Sequence, residues 1–165
     1  GFKTASRIVG SAAFLGGLHA QDSPVYGAER RGAAITAFTR IDQSPILERG
    51  VIDRPDLIVV GDDTLLTDKT AGVLLGVESA SAIFVNSESP KNLIQECSIH
   101  TSLITLDVTG MTLKLLGKAS ALSAGLGAVA ARLLGVISEE RLIDAVQERI
   151  EPAVIFLLVS RADNA

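Results

Sequence analysis

The chain has 165 residues, a formal charge of −4, 47 % apolar and 4 % aromatic residues, one cysteine and no tryptophan. That is enough for one ordinary domain whose core needs no staples, and the single Cys97 excludes an intrachain disulfide and any zinc or iron–sulfur site held by this chain's cysteines alone. An acidic balance without aromatic stacking platforms argues against nucleic acid as the main partner, and His19 and His100 lack ligand spacing, so no metal site is expected.

In chain order, residues 2–17 read as a helix closed by Gly16 and Gly17. Lys3 and Arg7 ahead of an apolar stretch also imitate a secretory leader, but Gly10, Ser11, Gly16 and Gly17 interrupt it. Ile8, Ala12 and Leu15 recur at helical spacing, so the stretch is read as a buried domain helix. No other apolar run approaches the roughly 18 residues of a membrane span; the best, 153–159, is far too short. A cytoplasmic protein that does not engage membranes is expected. The chain starts at Gly1 without methionine, so residues upstream of it are expected.

A short strand is expected at 18–22, then a loop with Pro24 and the segment Tyr-Gly-Ala-Glu-Arg-Arg-Gly-Ala at 26–33. Residues 33–41 read as a strand, with Ile35, Ala37, Thr39 and Ile41 on one face and Ala34, Thr36, Phe38 and Arg40 on the other. A turn at 42–45 and a short strand at 46–49 would make these an antiparallel hairpin. From Pro55 onward the pattern alternates between strand and helix. The continuous apolar run at 57–60 suits a strand covered on both faces, and 82–86 and 102–108 read as two more buried strands. Helices are expected at 64–76, 90–97, 109–117, 121–135, 139–150 and 152–162, with Ser138 as an N-cap before Glu139 and Glu140, and with Pro90 and Pro152 in first turns. The expected fold is α/β: a three-layer, Rossmann-like α/β/α arrangement with a mostly parallel central sheet and an antiparallel hairpin, built as one domain over residues 1–165.

Ligands of open α/β sheets bind beyond the carboxyl ends of strands. Here those positions hold Asp62 and Asp63, Asn86 and Ser87, and Asp107 and Thr109. The paired aspartates suit a divalent cation or acid–base work, but aspartate also ends strands and caps helices, and that plainer role is the one expected. Neither a Ser-His-Asp nor a Cys-His arrangement has support, so no catalytic residue is assigned. Gly1, immediately before the first helix, is placed as a phosphate-binding glycine would be. Arg30 and Arg31, between Gly27 and Gly32 and beside Glu29, can grip a planar anion with forked hydrogen bonds, form an internal ion pair, or dock a partner.

The stretch 19–41, with Ala20-Gln21, Pro24, Tyr26, Gly27, Glu29-Arg30-Arg31-Gly32-Ala33 and Arg40-Ile41, resembles the gamma subunit of 2-oxoacid:ferredoxin oxidoreductases of the pyruvate synthase type. Pro55-Asp56 leading to Asp62 or Asp63, the segment 106–118 and the segment 125–146 extend the resemblance over nearly the whole chain. Of the family's glycine-rich opening turn only what looks like its last glycine, Gly1, is present; Ala34 stands where many relatives have proline.

The resemblance implies a subunit of a complex that converts a 2-oxoacid and coenzyme A to acyl-CoA and CO₂ while reducing ferredoxin. Thiamine diphosphate, Mg²⁺ and iron–sulfur clusters are expected in the alpha, beta and delta subunits and no cofactor in this chain. Gly1, Arg30 and Arg31 are the expected contacts to coenzyme A or another anion, and Tyr26, Gly27, Glu29, Arg30, Arg31 and Gly32 the expected interface. Two other classes remain open: a stand-alone Rossmann-like nucleotide-binding module, and an interaction scaffold of the same fold.

Overall fold

A computed structural model describes residues 2–25, 35–88, 93, 99–117 and 121–148. Three apolar strands, β3 (Leu57–Val60), β4 (Ala82–Asn86) and β5 (Ser102–Leu106), form a parallel sheet in the order β3-β4-β5. The register sets Val59 beside Phe84 and Phe84 beside Ile104. Because successive side chains point to opposite faces, β4 divides the core. Phe84, fully buried, packs with Val59, Ile104, Ala5, Val108 and Leu126 on one face. Ile83 and Val85 pack with Val60, Leu66, Leu93 and Ile99 on the other. Burial on both faces is why these runs do not alternate with polar residues.

The first face is covered by helices α1 (Phe2–Leu15), α2 (Val108–Leu116) and α3 (Leu122–Leu134). A fourth helix, α4 (Glu139–Gln147), closes on α1 and α3 through Ile8, Ala12, Ala124, Ala145 and Val146. Ser138 caps α4 by accepting from the Arg141 N–H at 3.4 Å, with Glu139 and Glu140 in the first turn where the helix dipole favours them. α2 and α3 cross at Gly125, where an added Cβ would stand 2.5 Å from Val108 Cγ1. Gly125→Ala overfills that contact, and a loss of about 1–3 kcal/mol of stability is expected, read from denaturant unfolding.

A separate pair of strands, β1 (His19–Val25) and β2 (Thr36–Asp42), is antiparallel and lies on α1. The hairpin therefore differs from the sequence expectation. The partner of β2 is β1, which is longer than 18–22, and residues 46–49 form no strand. The chain bends at Asp42, whose carboxylate accepts from the Ser44 N–H at 2.7 Å. The following segment is then held by Arg40, whose guanidinium donates to the carbonyls of Gly50 and Val51, each at 3.0 Å. Carbonyls satisfied by a side chain leave no ladder to extend.

The helix expected at 64–76 is also absent. In its place stand a 3-10 turn (Asp63–Leu66), Asx turns at Asp68 and a second 3-10 turn (Val77–Ser79). Two glycines mark the break: Gly72 and Gly76 have left-handed φ values of +63° and +75°, and a Cβ at Gly76 would overlap the Asp53 carbonyl and the Pro55 ring. β5 stops at Leu106 rather than 108 because Asp107 begins α2. Apart from Leu93, which is helical, the helix expected at 90–97 lies outside the described residues, as does the one at 152–162.

Candidate functional site

The carboxyl ends of β3, β4 and β5 bring together the strand-end residues singled out in the sequence. Asn86, at the end of the central strand and only 8 % exposed, is the hub. Its Nδ2 donates to the Gly61 carbonyl at 3.0 Å and to Thr109 Oγ1 at 2.8 Å. Its Oδ1 accepts from the Val108 N–H at 2.8 Å and the Thr109 N–H at 3.3 Å. Both donors and both acceptor positions of the amide are thereby used. The third N–H of α2, that of Gly110, goes to Asp107 Oδ1 at 2.7 Å.

This arrangement decides what the strand ends can do. A helix N-terminus attracts anions because its first N–H groups lack partners. Here Asn86 and Asp107 already fill those positions, so α2 offers no vacant cradle for a phosphate. Asp62 is likewise occupied, accepting from Thr64 N at 3.0 Å and Thr64 Oγ1 at 2.6 Å, while Asp63 accepts from the Ser87 hydroxyl. The aspartates cap and staple, the plainer of the two roles open to them. Asp68, next along the chain, has its carboxyl held below the usual carboxylate range by hydrogen bonds from the Thr70 side chain and backbone. No group of three or more His, Cys, Asp or Glu among the described residues is placed to hold a metal, and no described helix is long and apolar enough to cross a membrane.

The second candidate region is the hairpin. Gly1, Tyr26, Gly27, Glu29, Arg30, Arg31 and Gly32 lie outside the described residues, but the strands that carry the arginine segment do not. Val25 and Thr36 are the last pair of the β1–β2 ladder, so residues 26–35 join two strands already in register. The base of this hairpin is fixed to α1 by a polar cluster. Ser6 Oγ donates to Asp22 Oδ1 and stands 2.7 Å from Thr39 Oγ1, and Arg7 Nε lies 3.8 Å from Asp22 Oδ2. The opposite face carries Arg40 and its clamped segment, which leaves Leu47 and Val51 exposed. On the same strand as Asp22, the buried Oε1 of Gln21 has no hydrogen-bond partner among the described residues.

Sequence reasoning named Asn86 and Asp107 but not their joint closure of α2. It did not single out Ser6 or Thr39 as site residues, because an isolated hydroxyl carries no spacing signal. Asp22 had one available: it sits inside the stretch that carries the family resemblance.

Known proteins agree with this architecture along the chain. Residues 1–156 match the family described as pyruvate ferredoxin/flavodoxin oxidoreductase. The pyruvate/ketoisovalerate oxidoreductases common subunit gamma of Thermococcus kodakarensis is 38 % identical over 156 residues, covering 93 % of this chain and 83 % of that protein. The pyruvate synthase subunit PorC of Methanothermobacter thermautotrophicus is 35 % identical over 148 residues, covering 90 % and 78 %. Among solved structures, the pyruvate oxidoreductase subunit PORC of Thermotoga maritima superposes with a TM-score of 0.75 at 25 % identity, over 96 % of this chain and 84 % of that one. Taken with the parallel sheet and the α1-anchored hairpin, the match over residues 1–156 shows that the chain belongs to the pyruvate ferredoxin/flavodoxin oxidoreductase family.

Proposed function

We propose that this chain is the gamma subunit of a cytoplasmic, multi-subunit 2-oxoacid:ferredoxin oxidoreductase, with residues 1–165 acting as one domain. The observation that carries the reading is likeness, along most of the chain, to proteins that are themselves named as subunits. The complex converts a 2-oxoacid and coenzyme A to acyl-CoA and CO₂ and passes electrons to ferredoxin. Its thiamine diphosphate, Mg²⁺ and iron–sulfur clusters belong to the alpha, beta and delta subunits, where thiamine diphosphate supplies the carbanion chemistry and the clusters accept single electrons. The donor set of this chain, one cysteine, does not fit a cluster.

Within that assembly the hairpin is the contact element. Seven residues of each strand hold its ladder, and the Ser6–Asp22–Thr39 cluster fixes it to α1. Arg30 and Arg31, in the sequence between its two strands, are assigned to a neighbouring subunit or to the anionic end of coenzyme A, with Tyr26, Gly27, Glu29 and Gly32 contributing to the contact; Gly1 is assigned to the same anion. Exposed Leu47 and Val51 on the clamped segment support an interface there. So does the unpaired Gln21 acceptor, since buried polar atoms ordinarily have partners.

The test is purification of the native complex through a tag on this chain, followed by assay with a panel of 2-oxoacids, coenzyme A and a viologen acceptor. Thiamine-binding and iron–sulfur subunits are expected to co-purify and to reduce the dye in a coenzyme A-dependent manner. A native protein that purifies alone and adds nothing to dye reduction would refute the reading.

A further inference from the structure

We infer that Arg40 is a positioning residue: its clasp on Gly50 and Val51 holds Leu47 out for an apolar socket on a neighbouring subunit of the complex. The inference rests on the subunit reading above. Thr39 meets Ser6 of α1, so Arg40, the next residue of β2, stands on the hairpin face turned away from α1, with its side chain only 15 % exposed. Its guanidinium donates to two successive carbonyls, at 3.0 Å each. Successive carbonyls of an extended chain point to opposite sides; the left-handed φ of Gly50, +96°, turns these two toward one fork. Among the described residues, no other hydrogen bond ties 45–51 to the rest of the fold.

The fold itself gains little from this clasp. Residues 43–51 are all exposed except Ile46, Leu47 at 89 % and Val51 at 58 %. A nearly buried guanidinium is costly to place, and here it orders a stretch that adds almost nothing to the core. What it does fix is the direction of Leu47, the most exposed large apolar side chain among the described residues. Association loses free energy to every loop and side chain it must order, and a segment ordered beforehand loses less. The partner's chemistry follows from the neighbours of Leu47. Glu48, 86 % exposed and 3.9 Å from Arg40, and the exposed Arg49 come directly after it. An apolar centre edged by charges matches a socket with an apolar floor and a polar rim, the anatomy of a protein interface.

The test is serial dilution of the native complex, with the concentration at which it comes apart read by size exclusion. Leu47→Asp is expected to raise that concentration about a hundredfold or more. Arg40→Gln and Gly50→Val, which open the clasp from its two sides and leave Leu47 in place, are expected to raise it about tenfold. The circular dichroism of the isolated chain should not change in any of the three. If Arg40 acts through Leu47, the Arg40→Gln, Leu47→Asp double variant is no worse than Leu47→Asp alone, and Arg40→Lys, which lacks the fork, does not rescue. Additive losses would leave Arg40 a merely structural residue and overturn the inference. A complex that assembles and tolerates Leu47→Asp overturns it while the subunit reading stands, whereas an unaltered chain that purifies alone refutes both. Dimers of the isolated chain that Leu47→Asp disperses would make the occupant a second copy and also overturn it. Should Arg40→Gln fail to fold, Gly50→Val opens the same clasp through backbone strain alone, since a Cβ there meets nothing within 4 Å.

Discussion

Asn86→Ala is expected to destabilise the chain by about 3 kcal/mol or more, measured by denaturant unfolding, because each buried polar group left without a partner costs about 1–3 kcal/mol. The substitution strips partners from the Gly61 carbonyl, the Thr109 hydroxyl and two N–H groups of α2 at once. These groups lie at the end of three strands packed on both faces, where Asn86 is 8 % exposed, so replacement by water is restricted. Thr109→Val serves as the control. It removes one of the four contacts and should cost about 1 kcal/mol. Asn86→Asp separates the two ends of the amide: it keeps the acceptor facing Val108 and Thr109 but turns the donor facing the Gly61 carbonyl into a second oxygen. Its cost should exceed that of Thr109→Val. A loss below that of Thr109→Val for Asn86→Ala would show that the amide is not the staple its geometry describes.

The Arg30→Ala, Arg31→Ala double change is expected to leave the isolated chain folded and to impair the complex. Each charge-assisted hydrogen bond from a guanidinium is worth about 1.5–3 kcal/mol when its partner is otherwise desolvated. Since about 1.4 kcal/mol is tenfold, at least a tenfold effect should follow. Size-exclusion chromatography of the complex and a coenzyme A titration of oxoacid-dependent dye reduction distinguish the two roles. Loss of assembly identifies a docking loop. Intact assembly with a raised KM for coenzyme A identifies an anion contact. If assembly, KM and kcat all match the unaltered complex, the segment has neither role. Glu29→Gln, which keeps the side chain's size and removes the negative charge next to Arg30 in sequence, should act in the same direction and more weakly.

The parallel sheet was readable before the structure was known. Leu57–Val60 and Ala82–Val85 are uninterrupted apolar stretches, the pattern of strands buried on both faces. Capping was readable too, since Asp107 and Ser138 precede helices whose first N–H groups they accept from. The errors came where a distant partner overrides local pattern. Residues 64–76 carry enough leucine and valine to imitate a helix, yet the approach of Gly76 to Asp53 and Pro55 imposes a turn no local window could reveal. The pairing of β2 was misread because proximity in sequence favoured 46–49, whereas the seven residues of β1 supply a full ladder. At the strand ends, residue types pointed to the right place but not to the outcome. Whether an aspartate or asparagine binds a ligand or satisfies its own fold depends on which N–H groups face it, and that is a property of the assembled chain.

α1 packs against α4, so the first described element is completed by one of the last. During synthesis, Ile8 and Ala12 have no cover from Ala145 and Val146 until residues 139–147 have left the ribosome. The three-stranded sheet can form earlier, because its strands follow one another in order along the chain. A nascent chain halted before residue 139 therefore presents a formed sheet with an open apolar helix face, the kind of surface that recruits chaperones or joins wrong neighbours. For a protein that belongs in an assembly, docking with other subunits should come after release, once the last helices have closed over the first.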